Sequence, residues 1–118
     1  MSTQDLAPFL LQGIEFDPGH SLLLTEWSEL MPVIEAAGPE GNGYTWEGVA
    51  RLLVVRHLPD VADQLEHDSE SGMFAVYSSY SSNREVLEAL GALMRDLYRS
   101  PERLGVLLAS VDPDFSDD

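Results

Sequence analysis

Two segments of the chain set aromatic side chains among acidic and polar ones. In the first, Tyr44 and Trp46 lie beside Glu40, Asn42 and Glu47. In the second, Tyr77 and Tyr80 follow a turn that carries Asp68 and Glu70. Such a mixture suits recognition of a basic protein surface, with aromatics as apolar anchors and carboxylates as steering groups. Packing offers the competing explanation. It is strongest for Trp46 and Tyr77, whose apolar surroundings fit a core position. Tyr44 and Tyr80 suit core and interface equally.

Catalytic constellations are absent from the sequence. His20, His57 and His67 stand in no HExxH or other metal-ligand spacing. His57 closes an apolar helix and reads as structural. His67, between Glu66 and Asp68, could form a pH-sensitive pair, against the simpler reading of a solvated hairpin residue. Paired carboxylates occur, but 21 acids in 118 residues generate every spacing by chance. They therefore carry no evidence for acid–base catalysis. Gly41-Asn-Gly43 lacks the GK[ST] of a phosphate loop. Ser78, Ser79, Ser81 and Ser82 form no GxSxG elbow and read as a flexible connection. Cysteine is missing, which removes disulfides, thiolate nucleophiles and cysteine metal sites together. The expectation is a binding protein, not an enzyme, with no catalytic residue, no metal and no cofactor.

Charge says what it would bind. The net charge is −15, from 21 acids against six arginines and no lysine. Residues 1–83 carry 13 acids and two arginines, a net of −11; residues 84–118 carry eight acids and four arginines, a net of −4. This field repels nucleic acid and anionic lipid and draws basic partners. Acidity also keeps a protein soluble, but −15 exceeds what a domain of this size needs. No run of 18 apolar residues is present, so no membrane span is expected. The first residues, Met-Ser-Thr-Gln-Asp-Leu, lack the basic and apolar regions of a signal peptide, which points to the cytoplasm.

The elements that must position these residues are legible in outline. Phe9 to Phe16 and His20 to Thr25 flank Asp17-Pro-Gly19 as a β-hairpin. A bulge at Gly13 would bring Phe9, Leu11, Ile14 and Phe16 to one face. Trp27, Leu30, Met31, Ile34 and Ala37 form a helical stripe, with Ser28 as cap, Pro32 in the first turn and Gly38-Pro39 at the end. Thr45 can cap a second helix over 46–58, whose interior is apolar on nearly all sides. Residues 60–64 can add a turn. Leu65 to His67 and Met73 to Ser78 read as a second hairpin. Asn83 can cap a third helix with Val86, Leu87, Leu90, Met94 and Leu97 aligned. Ser100-Pro101 opens a fourth, with Leu104, Leu107, Leu108 and Val111 in register. The order ββαα-ββαα predicts an α+β fold: a small antiparallel sheet from two hairpins, packed on about four helices. Residues 7–111 are expected to form one domain, after a disordered 1–6 and before a mobile acidic tail over 112–118.

Some of these segments look familiar. Glu40-Gly-Asn-Gly-Tyr-Thr-Trp46 before an apolar helix, then Asp68-Ser-Glu-Ser-Gly-Met-Phe74 and Ala75-Val-Tyr-Ser78, resemble immunity protein family 51 of bacterial polymorphic toxin systems. Pro8-Phe-Leu-Leu11 and Ser21-Leu-Leu-Leu24 fit the same family, and the resemblance covers about residues 7 to 110. It implies a protein that binds a cognate toxin domain, the toxin's C-terminal domain, and blocks it without catalysis or cofactor. The acidity points to a basic toxin, such as a nuclease. The expected toxin-binding residues, from the surface argument alone, are Glu40, Asn42, Tyr44, Trp46, Glu47, Asp68, Glu70 and Tyr80.

Two other functions compete. One is a generic acidic interaction module or nucleic-acid mimic, which would lose nearly all its affinity at moderate salt. The other is an enzyme using the acids or His67, which tight stoichiometric metal binding would reveal.

Overall fold

A computed structural model describes residues 6–13, 19–37, 41–78, 80 and 83–110. Within them the chain runs β1 (Leu10–Gly13), β2 (His20–Leu24), α1 (Met31–Ala37), α2 (Gly43–His57), β3 (Glu66–His67), β4 (Phe74–Ser78), α3 (Arg84–Tyr98) and α4 (Pro101–Ser110). Short 3₁₀ turns precede α1 at Ser28–Leu30 and follow α2 at Pro59–Gln64. The four strands form one antiparallel sheet in the order β1-β2-β4-β3. The α+β class and the ββαα-ββαα order read from the sequence are what the chain adopts. No helix among the described residues is long and apolar enough to cross a membrane.

The sheet separates two chemically different sides because side chains alternate along a strand. Leu22 and Leu24 of β2 pair with Val76 and Phe74 of β4, and all four are buried on the side that meets α2 and α3. Each such burial is worth roughly 1.5–3 kcal/mol. Leu87, Leu90 and Met94 of α3, Ile34 of α1 and Leu104 of α4 complete this core. Gly91 lets α3 approach closely: a Cβ there would stand 3.1 Å from both Leu22 and Leu6 side chains.

Helix α2 is covered on most sides up to Val54, as its apolar interior predicts, with Trp46, Val49, Ala50, Leu53 and Val54 all in the core, while its last turn, Val55 to His57, is exposed. The stripes of α1, α3 and α4 are also placed as expected: Leu30, Ile34, Leu87, Leu90, Met94, Leu97, Leu104 and Leu108 are buried.

Local signals were less exact. Thr45 is not the cap of α2. Asn42 is, and Thr45 is the third helical residue of a reciprocal capping box, so α2 begins at Gly43. Ser28 does not cap α1. It donates from its backbone N–H and its hydroxyl to the Glu26 carboxylate, which holds that acid below its usual pKa. Pro32 is the second residue of α1, within the first turn. Asn83 occupies the position before α3, yet its side chain makes no capping bond. Its Nδ2 instead donates to Gln64 Oε1 at 2.9 Å and to Ser78 Oγ at 3.0 Å. Ser78 is accordingly a buried strand residue, not part of a flexible connection. Strand β1 pairs in unbroken register through Gly13 opposite His20. Ile14, Phe16, the Asp17-Pro18 part of the first turn, Gly38-Pro39, Val111 and the acidic tail lie outside the described residues.

Candidate functional site

The Gly-Asn-Gly-Tyr-x-Trp segment builds a joint before it builds a surface. Gly41 takes a left-handed φ of 78°, where a side chain is disfavoured. Its carbonyl accepts from Trp27 Nε1 at 2.9 Å. Asn42 Oδ1 accepts from the Thr45 backbone N–H at 3.1 Å, and Thr45 Oγ1 accepts from the Asn42 N–H at 3.3 Å. This pair satisfies two donors that a helix start leaves orphaned. The Gly43 N–H donates to the Ser71 carbonyl at 2.9 Å, tying the start of α2 to the second hairpin.

Trp46, expected at the toxin interface, is 1% exposed. Its indole lies edge-on to Phe9 at 6.1 Å, tilted against Trp27 at 6.3 Å and stacked on Tyr98 at 6.0 Å. It has no surface to offer a partner. Glu47 is buried as well, and its carboxylate is committed within α2: Arg51 Nε and Nη2 donate to Glu47 Oε2 at 3.1 and 3.0 Å. Tyr44 projects outward at 39% exposure, and Asn42 is half-buried in its cap. Glu40 lies outside the described residues.

The second hairpin displays what the first segment hides. Glu66 pairs with Tyr77, Asp68 N–H donates to the Ala75 carbonyl, and Glu70 exchanges both backbone bonds with Met73 across a Ser71-Gly72 turn. Of the three acids only Glu66 lies within β3; past its end the ladder is interrupted, since the Ala75 N–H donates to Ser69 Oγ at 3.1 Å, and the pairing resumes at Glu70 and Met73. Glu66, Asp68 and Glu70 are all exposed, and the pairing of Glu66 with Tyr77 puts Glu66 on the side of the sheet away from the helices. Tyr77 lies half-buried beside them, with its hydroxyl donating to Glu66 Oε1 at 3.3 Å. The core position expected for Tyr77 is thus replaced by one on this outer face. Glu66 was not among the expected site residues. The alternation Glu-x-Asp-x-Glu was its signal, obscured by the abundance of acids elsewhere.

His67 points the other way. It pairs opposite Val76 on the inner side, and its close charges are Arg51 and Glu47 of α2, not the flanking Glu66 and Asp68. Burial, helped by Arg51 and opposed by Glu47, pushes its pKa down to about 4. Its Nδ1 is buried without a hydrogen-bond partner among the described residues. The ring is neutral at physiological pH, and neither the solvated reading nor the Glu66–His67–Asp68 pair describes it. His57, by contrast, is exposed at the end of α2.

Tyr80 is 55% exposed, but it follows Ser78 at the end of β4 opposite to the Ser71-Gly72 turn. The structure therefore brings Asn42 and Tyr44 next to the turn that carries Glu70, and leaves Tyr80 at the far end of the sheet.

Grooves open between helices among the described residues. One, of about 700 Å³, runs between α1 and α4 and is lined by Pro32, Val33, Ala36, Gly105 and Val106. Another, of about 530 Å³, lies among α2, α3 and α4, with Arg56, His57, Asp96, Glu102 and Arg103 around Leu97. Among the described residues no group of three or more His, Asp or Glu is placed to hold a metal ion. What the arrangement offers chemically is a surface of carboxylates, aromatics and aliphatic groups, suited to binding.

A family model described as Immunity protein 51 matches residues 9–112. No curated protein and no solved structure matches the chain.

Proposed function

The chain belongs to the immunity protein 51 family, and on that premise we propose that it binds a cognate bacterial toxin domain and neutralises it by occlusion. The family match over residues 9–112 carries this reading. The net charge of −15 supports the finer part, a basic toxin domain such as a nuclease, because opposite fields speed association and reject acidic competitors. The binding surface in this proposal is acidic and uses Tyr44, Asp68 and Glu70, with Asn42 holding the start of α2 in place beside them. Glu40 is a further contact proposed from its charge, and Tyr80 would be a separate contact at the other end of the sheet. Inhibition needs neither a cofactor nor a catalytic group, and the inhibitor acts in the cytoplasm of the producing cell.

Co-expression with the toxin encoded by the neighbouring gene tests the proposal. Cells carrying both should survive, while cells carrying the toxin alone should die. Equal death in both cultures rejects it.

One observation favours a second reading. Three exposed carboxylates at alternate residues, Glu66 in β3 and Asp68 and Glu70 just past its end, make a line of negative charge like that of a nucleic-acid backbone. A mimic of that kind would bind many basic proteins and release nearly all of them at moderate salt. A dedicated inhibitor retains part of its affinity there through apolar anchors.

A further inference from the structure

We propose that the outer face of the β-sheet is the docking surface for the toxin domain; the inference rests on the immunity reading above. The face is defined by register. Leu10 pairs with Leu23, Leu23 with Ala75, and the Ala75 carbonyl accepts from Asp68 N–H, which makes one cross-strand row. Gln12, Ser21, Tyr77 and Glu66 make the next. Both rows point away from the helices, since the alternate residues Leu22, Leu24, Phe74 and Val76 fill the core.

Along the first row the chemistry runs from aliphatic to acidic, while the second begins in the polar Gln12 and Ser21 and passes through Tyr77 to Glu66. At the β1 edge Leu10 stands 54% exposed, and Leu23 beside it is half-buried. At the β3 edge the rows end in Glu66 and Asp68, with Glu70 continuing the line. The face thus joins an aliphatic and aromatic patch, built on Leu10, Leu23 and Tyr77, to a margin of three carboxylates. No arginine lies in a strand: Arg51, Arg56, Arg84, Arg95 and Arg103 are in helices, and Arg99 ends one.

This pattern fits one kind of occupant, a basic protein surface with an apolar or aromatic residue at its centre. The apolar patch supplies the desolvated middle and the carboxylates meet the partner's cations at the rim. A second copy of this chain fits poorly. Two molecules of charge −15 repel each other, and neither sheet carries a cation to meet the other's acids.

The test uses the full chain and the toxin domain of the neighbouring gene, inactivated by mutation, in surface-binding kinetics. Leu10→Asp should weaken binding at least tenfold, chiefly through faster dissociation. The pair Glu66→Lys with Asp68→Lys should slow association at least tenfold at low salt. Val106→Asp, at a position 74% exposed on α4, should bind within twofold of wild type. Circular dichroism of each variant confirms folding, and all four positions are exposed enough to tolerate the change. Wild-type binding that both outer-face variants retain within twofold overturns the docking surface and leaves the immunity reading standing. Wild-type protein that fails to bind at all overturns both. Concentration-dependent dimerisation of the wild type that Leu10→Asp abolishes, with toxin binding untouched, assigns the face to a second copy and overturns the proposal.

Discussion

Gly43 sits so close to the second hairpin that a Cβ on it would overlap the carbonyl oxygens of Glu70 and Met73. Both atoms belong to backbone, and the turn between them also receives the Gly43 N–H, so neither side can yield without breaking that bond. Gly43→Ala should destabilise the fold by at least about 2 kcal/mol. Gly72→Ala, one turn residue away in open space, should change stability by less than about 0.5 kcal/mol. Urea unfolding of the two variants checks the contrast. Equal midpoints would show that the joint between α2 and the hairpin is not tight.

Trp46 tests the centre of the core. Its ring meets Phe9, Trp27 and Tyr98, and Trp46→Ala should cost roughly 3–5 kcal/mol. The indole N–H is buried with no partner among the described residues, a standing penalty of about 1–3 kcal/mol. Trp46→Phe removes that donor while keeping an aromatic ring against Phe9. It should therefore lose less than half of what Ala loses. Denaturant midpoints decide this, and a Phe variant as unstable as the Ala variant would mean that the N–H is satisfied.

The Gly-Asn-Gly-Tyr-x-Trp segment and the second hairpin differ in how far the sequence reveals their roles. Helical and strand periods placed α1 to α4 and both hairpins, because burying one stripe per element is a strong constraint on composition. The caps are less legible, because Ser28 and Asn83 commit their side chains to bonds outside the helix they precede, and Thr45 serves as the inner half of a capping box. Asn42 and Thr45 are both cap-forming residue types, and the extended backbone of Asn42 with its reciprocal bonds to Thr45 makes Asn42 the cap. The role of Trp46 was ambiguous for a similar reason. Its neighbours Tyr44 and Glu47 look like surface, yet a helix turned by 100° per residue puts 44 outside and 46 inside. His67 shows the complementary limit. Its sequence neighbours are acids, but strand alternation sends them to the opposite face, and its real partners come from twenty and sixteen residues earlier.

Asn83 joins three elements through one amide. Its Nδ2 reaches Gln64 at the end of the 3₁₀ turn and Ser78 at the end of β4, while its own backbone leads into α3. Asn83→Ala leaves the buried Ser78 hydroxyl without this donor. The expected loss is about 1–3 kcal/mol. Asn83→Asp should cost more, since a carboxylate cannot donate to Ser78 or Gln64 and would be buried at this position. Thermal unfolding ranks the two, and an Asp variant as stable as wild type would remove the donor argument.

His67 gives the fold a pH dependence with a definite sign. The folded ring has a pKa of about 4, against 6.5 when unperturbed. Above pH 6.5 neither state holds the proton. Between 6.5 and about 4 the unfolded chain binds it and the folded ring does not, so stability falls as pH falls. Below about 4 the loss levels off. The difference should be on the order of 2 kcal/mol, discounted for the ring's remaining contact with water. His67→Gln removes it, and comparing the two proteins at each pH cancels the carboxylate repulsion they share. The charges of α2 then separate the causes. Glu47→Gln should lower the His67 pKa further, because Glu47 favours the charged ring; Arg51→Met should raise it, because Arg51 opposes that charge. Titration of the His67 ring proton by NMR reads both shifts. If the two variants move it in the same direction, the Glu47–Arg51 pair does not set the field at this ring.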